Sequence, residues 1–224
     1  MKYLACDIET SGFSLGISKP PDEIISIGWC DVDQPLDEFG ETFAFPVVAQ
    51  SSVYALRVHQ LSEQVLKRNG ATDLATALKP LLSTIEAIPD VVVLVAHNGY
   101  SFDSRFIAAA LRAHNLSMPA NFAGWIDTSR LDWGAGKLDD VAKRLNVTIT
   151  RTTHGALVDA RLLADVFLAG CKQAQAFPGK SSRAFETTHD WLKRTADLPK
   201  PPTHAKTTPG TKRPFAELQE GGAP

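Results

Sequence analysis

The sequence predicts an α/β domain with a central mixed β-sheet flanked by helices. Three observations predict it. Runs of period two lie within residues 2–47, a continuous apolar run, VVVLVA, fills 91–96, and patterns of period 3.6 occupy most of the chain beyond residue 60. Strands first, with helices interleaved later, imply a mixed sheet rather than a wholly parallel one.

Each element has a local reason. In residues 2–9 Tyr3, Ala5, Asp7 and Glu9 alternate with Leu4, Cys6 and Ile8, the period of a strand. Residues 22–33 read as a second strand carrying Ile24, Ile25, Ile27 and Trp29. Residues 41–47 read as a third, ended by Pro46. Short breaks between the three suggest an antiparallel meander. Residues 61–70 form a short helix closing on Gly70, and 72–88 form another, kinked or broken at Pro80. Residues 91–99 read as a strand buried on both faces. Helices follow at 101–115, 137–147 and 154–175.

Beyond Leu198 the composition changes: six of the 14 prolines lie in residues 199–224. Such a segment buries no core. A folded domain over 1–196 and a disordered proline-rich tail over 197–224 are expected. The tail's one apolar patch, PFAELQ, suits a tether for a protein partner.

Bulk properties narrow the class. The chain has 224 residues, 44% hydrophobic and 21% charged, as in ordinary globular proteins. Its net charge of −2 advertises no strongly basic surface. Three scattered cysteines fit a reduced compartment and neither a disulfide framework nor a zinc site. No apolar run spans a membrane, and Asp7 and Glu9 interrupt the N-terminal stretch too early for a signal peptide. A cytoplasmic protein without a membrane partner is expected.

Four acids stand where apolar residues belong. Asp7 and Glu9 share one face of the first strand. Asp103 lies among Phe102, Phe106, Ile107 and Ala110, and Asp159 among Ala156, Leu162, Leu163 and Val166. Asp165, by contrast, falls on the solvated face with Arg161 and Lys172. Taken singly, Asp7 and Glu9 fit a strand-end pair and Asp103 fits a helix cap. Taken together, buried acids need positive charge. No Lys or Arg stands out as a buried partner, so hard divalent cations with oxygen ligands are the expected remedy. Two such ions serve phosphoryl transfer. His154, five residues before Asp159, is placed to act as a general base near neutral pH.

These motifs resemble those of the DnaQ-like DEDDh family of 3′–5′ exonucleases. The family's D-x-E-T is Asp7-Ile8-Glu9-Thr10. Its H-N-x-x-F-D is HNGYSFD, with one extra residue between Asn98 and Phe102. Its H-x4-D joins His154 to Asp159. The third motif is most like that of the epsilon proofreading subunits of bacterial replicative polymerases.

The resemblance covers residues 1–172 and implies a ribonuclease H-like exonuclease fold and release of nucleoside monophosphates from DNA 3′ ends, single-stranded or frayed. It implies two Mg2+ or Mn2+ ions held by Asp7, Glu9, Asp103 and Asp159, with His154 activating the attacking water. Thr10, His59, Asn98 and Phe102 are the implied substrate contacts. The acid that epsilon-type chains carry shortly before His59 is absent; Tyr54 and Ala55 stand near its place.

A polymerase or another replication or repair protein is the implied partner. Two other readings remain: a 3′–5′ exoribonuclease acting on RNA or short oligonucleotides, and a catalytically inactive nucleic-acid-binding module.

Overall fold

The computed structural model describes residues 1–15, 21–47, 51–151, 153–179 and 182–199. Six strands form one sheet: β1 (Lys2–Thr10), β2 (Ile24–Asp31), β3 (Phe39–Phe43), β4 (Val92–Ala96), β5 (Phe122–Asp127) and β6 (Phe185–Thr187). Their order is β3-β2-β1-β4-β5-β6. The first three make the expected antiparallel meander. β4 and β5 extend it in parallel, and β6 returns antiparallel at the far edge. The helices are α1 (Val53–His59), α2 (Glu63–Arg68), α3 (Leu74–Ala87), α4 (Asp103–Ala113), α5 (Leu138–Arg144), α6 (Ala156–Ala174) and α7 (Thr188–Arg194).

The alternation along β1 sorts the core into two layers. Leu4, Cys6 and Ile8 pack with residues of α3, α4 and α7 on one face. Ala5 packs on the other, with Val93, Val95 and Ile126 against Ala160, Leu163 and Phe167 of α6. Asp7 and Glu9 share the parity of Ala5 and therefore project to the α6 face. β4 is buried throughout, because helices cover it on both sides.

Several expectations are corrected. β3 begins at Phe39 and ends at Phe43, earlier than the period suggests. α3 runs unbroken through Pro80, which is exposed while Leu74, Ala77, Leu78, Leu81 and Ile85 hold the opposite face in the core. α1, β5, β6 and α7 are elements the sequence pattern does not announce. α7 is bound into the fold: Trp191 is fully buried and its Nε1 donates to Ser104 O at 2.9 Å. Arg112 of α4 donates to the carbonyls of Thr195, Ala196 and Leu198. The proline-rich tail lies outside the described residues from 200 onward. Among the described residues no helix is long and apolar enough to cross a membrane.

One close approach sets the position of α6. Gly28 of β2 pairs with Asp7 of β1. A Cβ on Gly28 would lie 2.2 Å from both Ala156 C and Leu157 N, at the start of α6. Backbone cannot give way as a side chain can, so only glycine lets the helix start settle beside Asp7. Gly28→Ala is expected to lower stability by about 1–3 kcal/mol, the scale of overpacking, as measured by chemical denaturation. A change of less than about 0.5 kcal/mol, the usual size for a neutral site, would mean that α6 does not depend on this contact.

Candidate active site

β1 delivers two carboxylates and α6 a third. Asp7, Glu9 and Asp159 each bring an oxygen within 4.8 Å of the others. Asp159 stands in the first turn of α6 and is buried. Its Oδ2 meets His154 Nδ1 at 3.0 Å and accepts from Gly155 N at 3.4 Å. The His154 side chain keeps 47% of its surface exposed, so one edge of the ring faces solvent.

Asp103 does not join this group of three. The β1–β4 ladder ends at Ala5↔Val95. Beyond it Asp103 Oδ1 accepts from Ile8 N at 3.2 Å, taking an N–H that β4 no longer reaches. The bond gives Asp103 a structural role, while its charge still bears on Asp7 and Glu9.

Crowded, poorly hydrated carboxylates hold their protons. Burial, then the charges of Asp103, Asp159 and Glu9, raises Asp7 well above the usual range. Burial, then Asp159 and Asp103, pushes Glu9 up to about 8. Burial, then Asp127, pushes Asp103 up to about 7, against the N–H bonds it accepts. Burial raises Asp159, opposed by Arg151 and His154.

Arg151 corrects the expectation that no cation is buried near the acids. Its Nε pairs with Asp159 Oδ1 and its Nη2 with Asp139, and its side chain is only 10% exposed. One guanidinium leaves the cluster with excess negative charge. Three hard oxygen donors around one point, none able to ionise freely, fit a divalent cation.

The expected substrate contacts divide. His59, the last residue of α1, is buried at 4% exposure. Its Nδ1 accepts from Leu61 N at 2.9 Å, and burial lowers its pKa against a backbone hydrogen bond with Thr10. Thr10 is buried, and its hydroxyl donates to Gly12 O at 2.6 Å, so its side chain is committed to the turn after β1.

Asn98 is exposed at a φ of 62°, and its N–H donates to Asp127 Oδ1 at 2.9 Å. It shapes the loop before α4 through Asp127 rather than through Asp7, Glu9 or Asp159. His97 is likewise tied to Thr128 Oγ1 and Gly136 O.

Phe102 sits in an aromatic row that sequence reasoning missed. Its ring lies 6.1 Å from Phe13, which lies 5.5 Å from Tyr54. Phe13 and Tyr54 are 64% and 65% exposed. The available signal was Phe13 itself, an aromatic three residues after Thr10 in a glycine-containing turn.

Known proteins resemble this chain in sequence and in fold. The sequence profile of the RNase T exonuclease family matches residues 4–167. The PolC-type DNA polymerase III of Ureaplasma parvum serovar 3 is 31% identical over 173 residues, covering 74% of this chain and 11% of that protein. E. coli exonuclease I in complex with a dT13 oligonucleotide has a TM-score of 0.61 at 14% identity, over 78% of this chain and 41% of that one. The nuclease domain of 3′hExo, a DEDDh family member, bound to rAMP, has a TM-score of 0.63 at 13% identity, over 84% and 96%. The chain thus spans a small part of the polymerase and under half of exonuclease I. At these identities the structural likeness shows the fold, which is ribonuclease H-like.

The raised carboxyl groups make the metal-free protein pH-sensitive. A carboxyl whose folded pKa exceeds its unfolded value stabilises the fold while protonated. That contribution is complete below about pH 4, the unfolded range. It is lost as pH rises through about 7 for Asp103 and about 8 for Glu9. Burial lowers His59, which works in the opposite direction as one group against the six raised carboxyls. In chelator, the melting temperature should fall between about pH 5 and about pH 8.5. Asp7→Asn should recover about 2–4 °C at the upper end, the scale of 1 kcal/mol in a domain of this size. A flat profile would mean that the acids do not repel.

Proposed function

Since the chain belongs to the DnaQ-like 3′–5′ exonuclease family, we propose that it hydrolyses the 3′-terminal phosphodiester of DNA, single-stranded or frayed, and releases nucleoside monophosphates. The observation that carries the reading is the convergence of Asp7, Glu9 and Asp159 within 4.8 Å, with the His154 imidazole on Asp159. Asp7, Glu9 and Asp159 would hold two Mg2+ or Mn2+ ions, with Asp103 completing the acidic set. When bound, such a pair stabilises charge on the attacking and leaving oxygens.

His154 is the proposed general base. With the proton on Nδ1 donated to Asp159, Nε2 keeps its lone pair and can take a proton from water. Asp159 thus sets the tautomer as well as offering an oxygen to the metal. The exposed rings of Phe13 and Tyr54 and the partly buried ring of Phe102 are proposed to stack on the terminal bases, a contact that tolerates any base. His59 is proposed to meet the terminal sugar or phosphate.

The choice of DNA leans on the polymerase relative, whose likeness to this chain is confined to 11% of its length. That proportion suits an exonuclease working beside a polymerase, and a polymerase or a repair protein is the proposed partner. The alternative, RNA, draws on the rAMP-bound relative.

His154→Ala is expected to lower turnover by roughly 10²–10⁴-fold, the scale of a lost general base, with KM little changed. Asp7→Asn and Asp159→Asn should leave no detectable cleavage. Near-normal turnover by Asp7→Asn at saturating magnesium would refute the site. DNA and RNA oligonucleotides of one sequence, digested side by side, should show DNA as the faster; faster RNA cleavage would favour the ribonuclease reading.

A further inference from the structure

We propose that Arg151 is the resident counter-cation of the acidic cluster: it holds Asp159 while no divalent ion is bound and yields that carboxylate when one binds. The inference rests on the proposed metal-binding role of Asp7, Glu9 and Asp159.

The two oxygens of Asp159 are divided between partners. Oδ2 faces His154 Nδ1 and Gly155 N, whereas Oδ1 faces Arg151. The Arg151 contact is an ion pair without an aligned hydrogen bond: Nε and Oδ1 are both buried, and neither is otherwise hydrogen-bonded among the described residues. Attraction there comes from charge more than from direction, so a stronger charge can replace it. The guanidinium is also mostly desolvated, and its charge favours the ionised forms of Asp7 and Glu9 as well as Asp159. It therefore occupies, in charge if not in position, what a divalent ion would occupy. A dication brought to the three carboxylates would repel it.

Asp139 gives the displaced group somewhere to remain. It stands in the first turn of α5 and already pairs with Arg151 Nη2. A guanidinium held at one end by Asp139 can leave Oδ1 without entering bulk solvent. The device keeps the metal-free domain folded with its acids together, and it makes Arg151 a competitor of the metal rather than a helper.

Competition and positioning predict opposite signs, which calorimetric titration of manganese(II) chloride into chelator-stripped protein separates. Arg151→Gln is expected to tighten the manganese dissociation constant by roughly fivefold or more, the lower end of ordinary coupling between bound groups. The same variant should melt lower than wild type without metal and show a larger metal-induced rise. Asp139→Asn leaves Arg151 only the Asp159 cluster to hold, so it should weaken manganese binding by a similar factor. That variant changes a partly exposed residue and tests the proposal even if Arg151→Gln folds poorly. Unchanged or weakened affinity in Arg151→Gln, or tightened affinity in Asp139→Asn, would overturn the counter-cation role while leaving the active site standing. Absence of any manganese heat in the wild-type protein would overturn both.

Discussion

Like charges repel, and β1 carries two of them on one face, opposite a third from α6. A buried sheet face is a poor place for three carboxylates within 4.8 Å. The geometry persists because covalent and packing constraints hold it. Asp7 and Glu9 are two residues apart on one strand, and Asp159 is fixed by a 19-residue helix whose apolar side is packed into the core. Burial, with the neighbouring acids adding to it, keeps protons on Glu9 and Asp103, and the Arg151 guanidinium pairs with Asp159.

Much of the surrounding structure accommodates that cluster. Gly28 admits the start of α6 at the register position of Asp7. Glu41 of β3 accepts weakly from Leu157 N, joining the edge strand to the same helix start. Asp103 takes the Ile8 N–H at the point where β4 diverges, so the end of β1 remains bonded although it has no neighbour on that side. Asp127 receives the N–H groups of Asn98, Tyr100 and Ser129 and shapes the loop that leads into α4. Residues far apart in sequence thus meet at one end of the sheet, where parallel α/β arrangements place their ligands.

The parts of this arrangement legible in the sequence were those with a local period. Alternation in residues 2–9 put Asp7 and Glu9 on one face, and helical spacing put Asp159 among apolar neighbours and Asp165 among solvated ones. What escaped was set by tertiary contact. β5 escaped because Gly124 interrupts a short apolar run, and its backbone conformation is imposed by β6 alongside. α1 escaped because Val53 and Tyr54 are exposed and give it no apolar stripe. Pro80 reads as a break, yet the packed face of α3 carries the helix through it. Arg151 escaped because nothing local says which way an arginine in a loop will face. The task of Asp103 escaped because its partner, Ile8 N, lies 95 positions away in the chain.

The central claim is that Asp7, Glu9 and Asp159 form the seat of a divalent cation in this member of the exonuclease family. Anomalous diffraction from crystals grown with manganese and a nucleoside monophosphate tests it most directly. The account predicts anomalous peaks among those three carboxylates, with Arg151 withdrawn from Asp159 and the phosphate of the nucleotide beside the metal. Ordered manganese elsewhere in the molecule, with these carboxylates still paired only to Arg151 and His154, would contradict it.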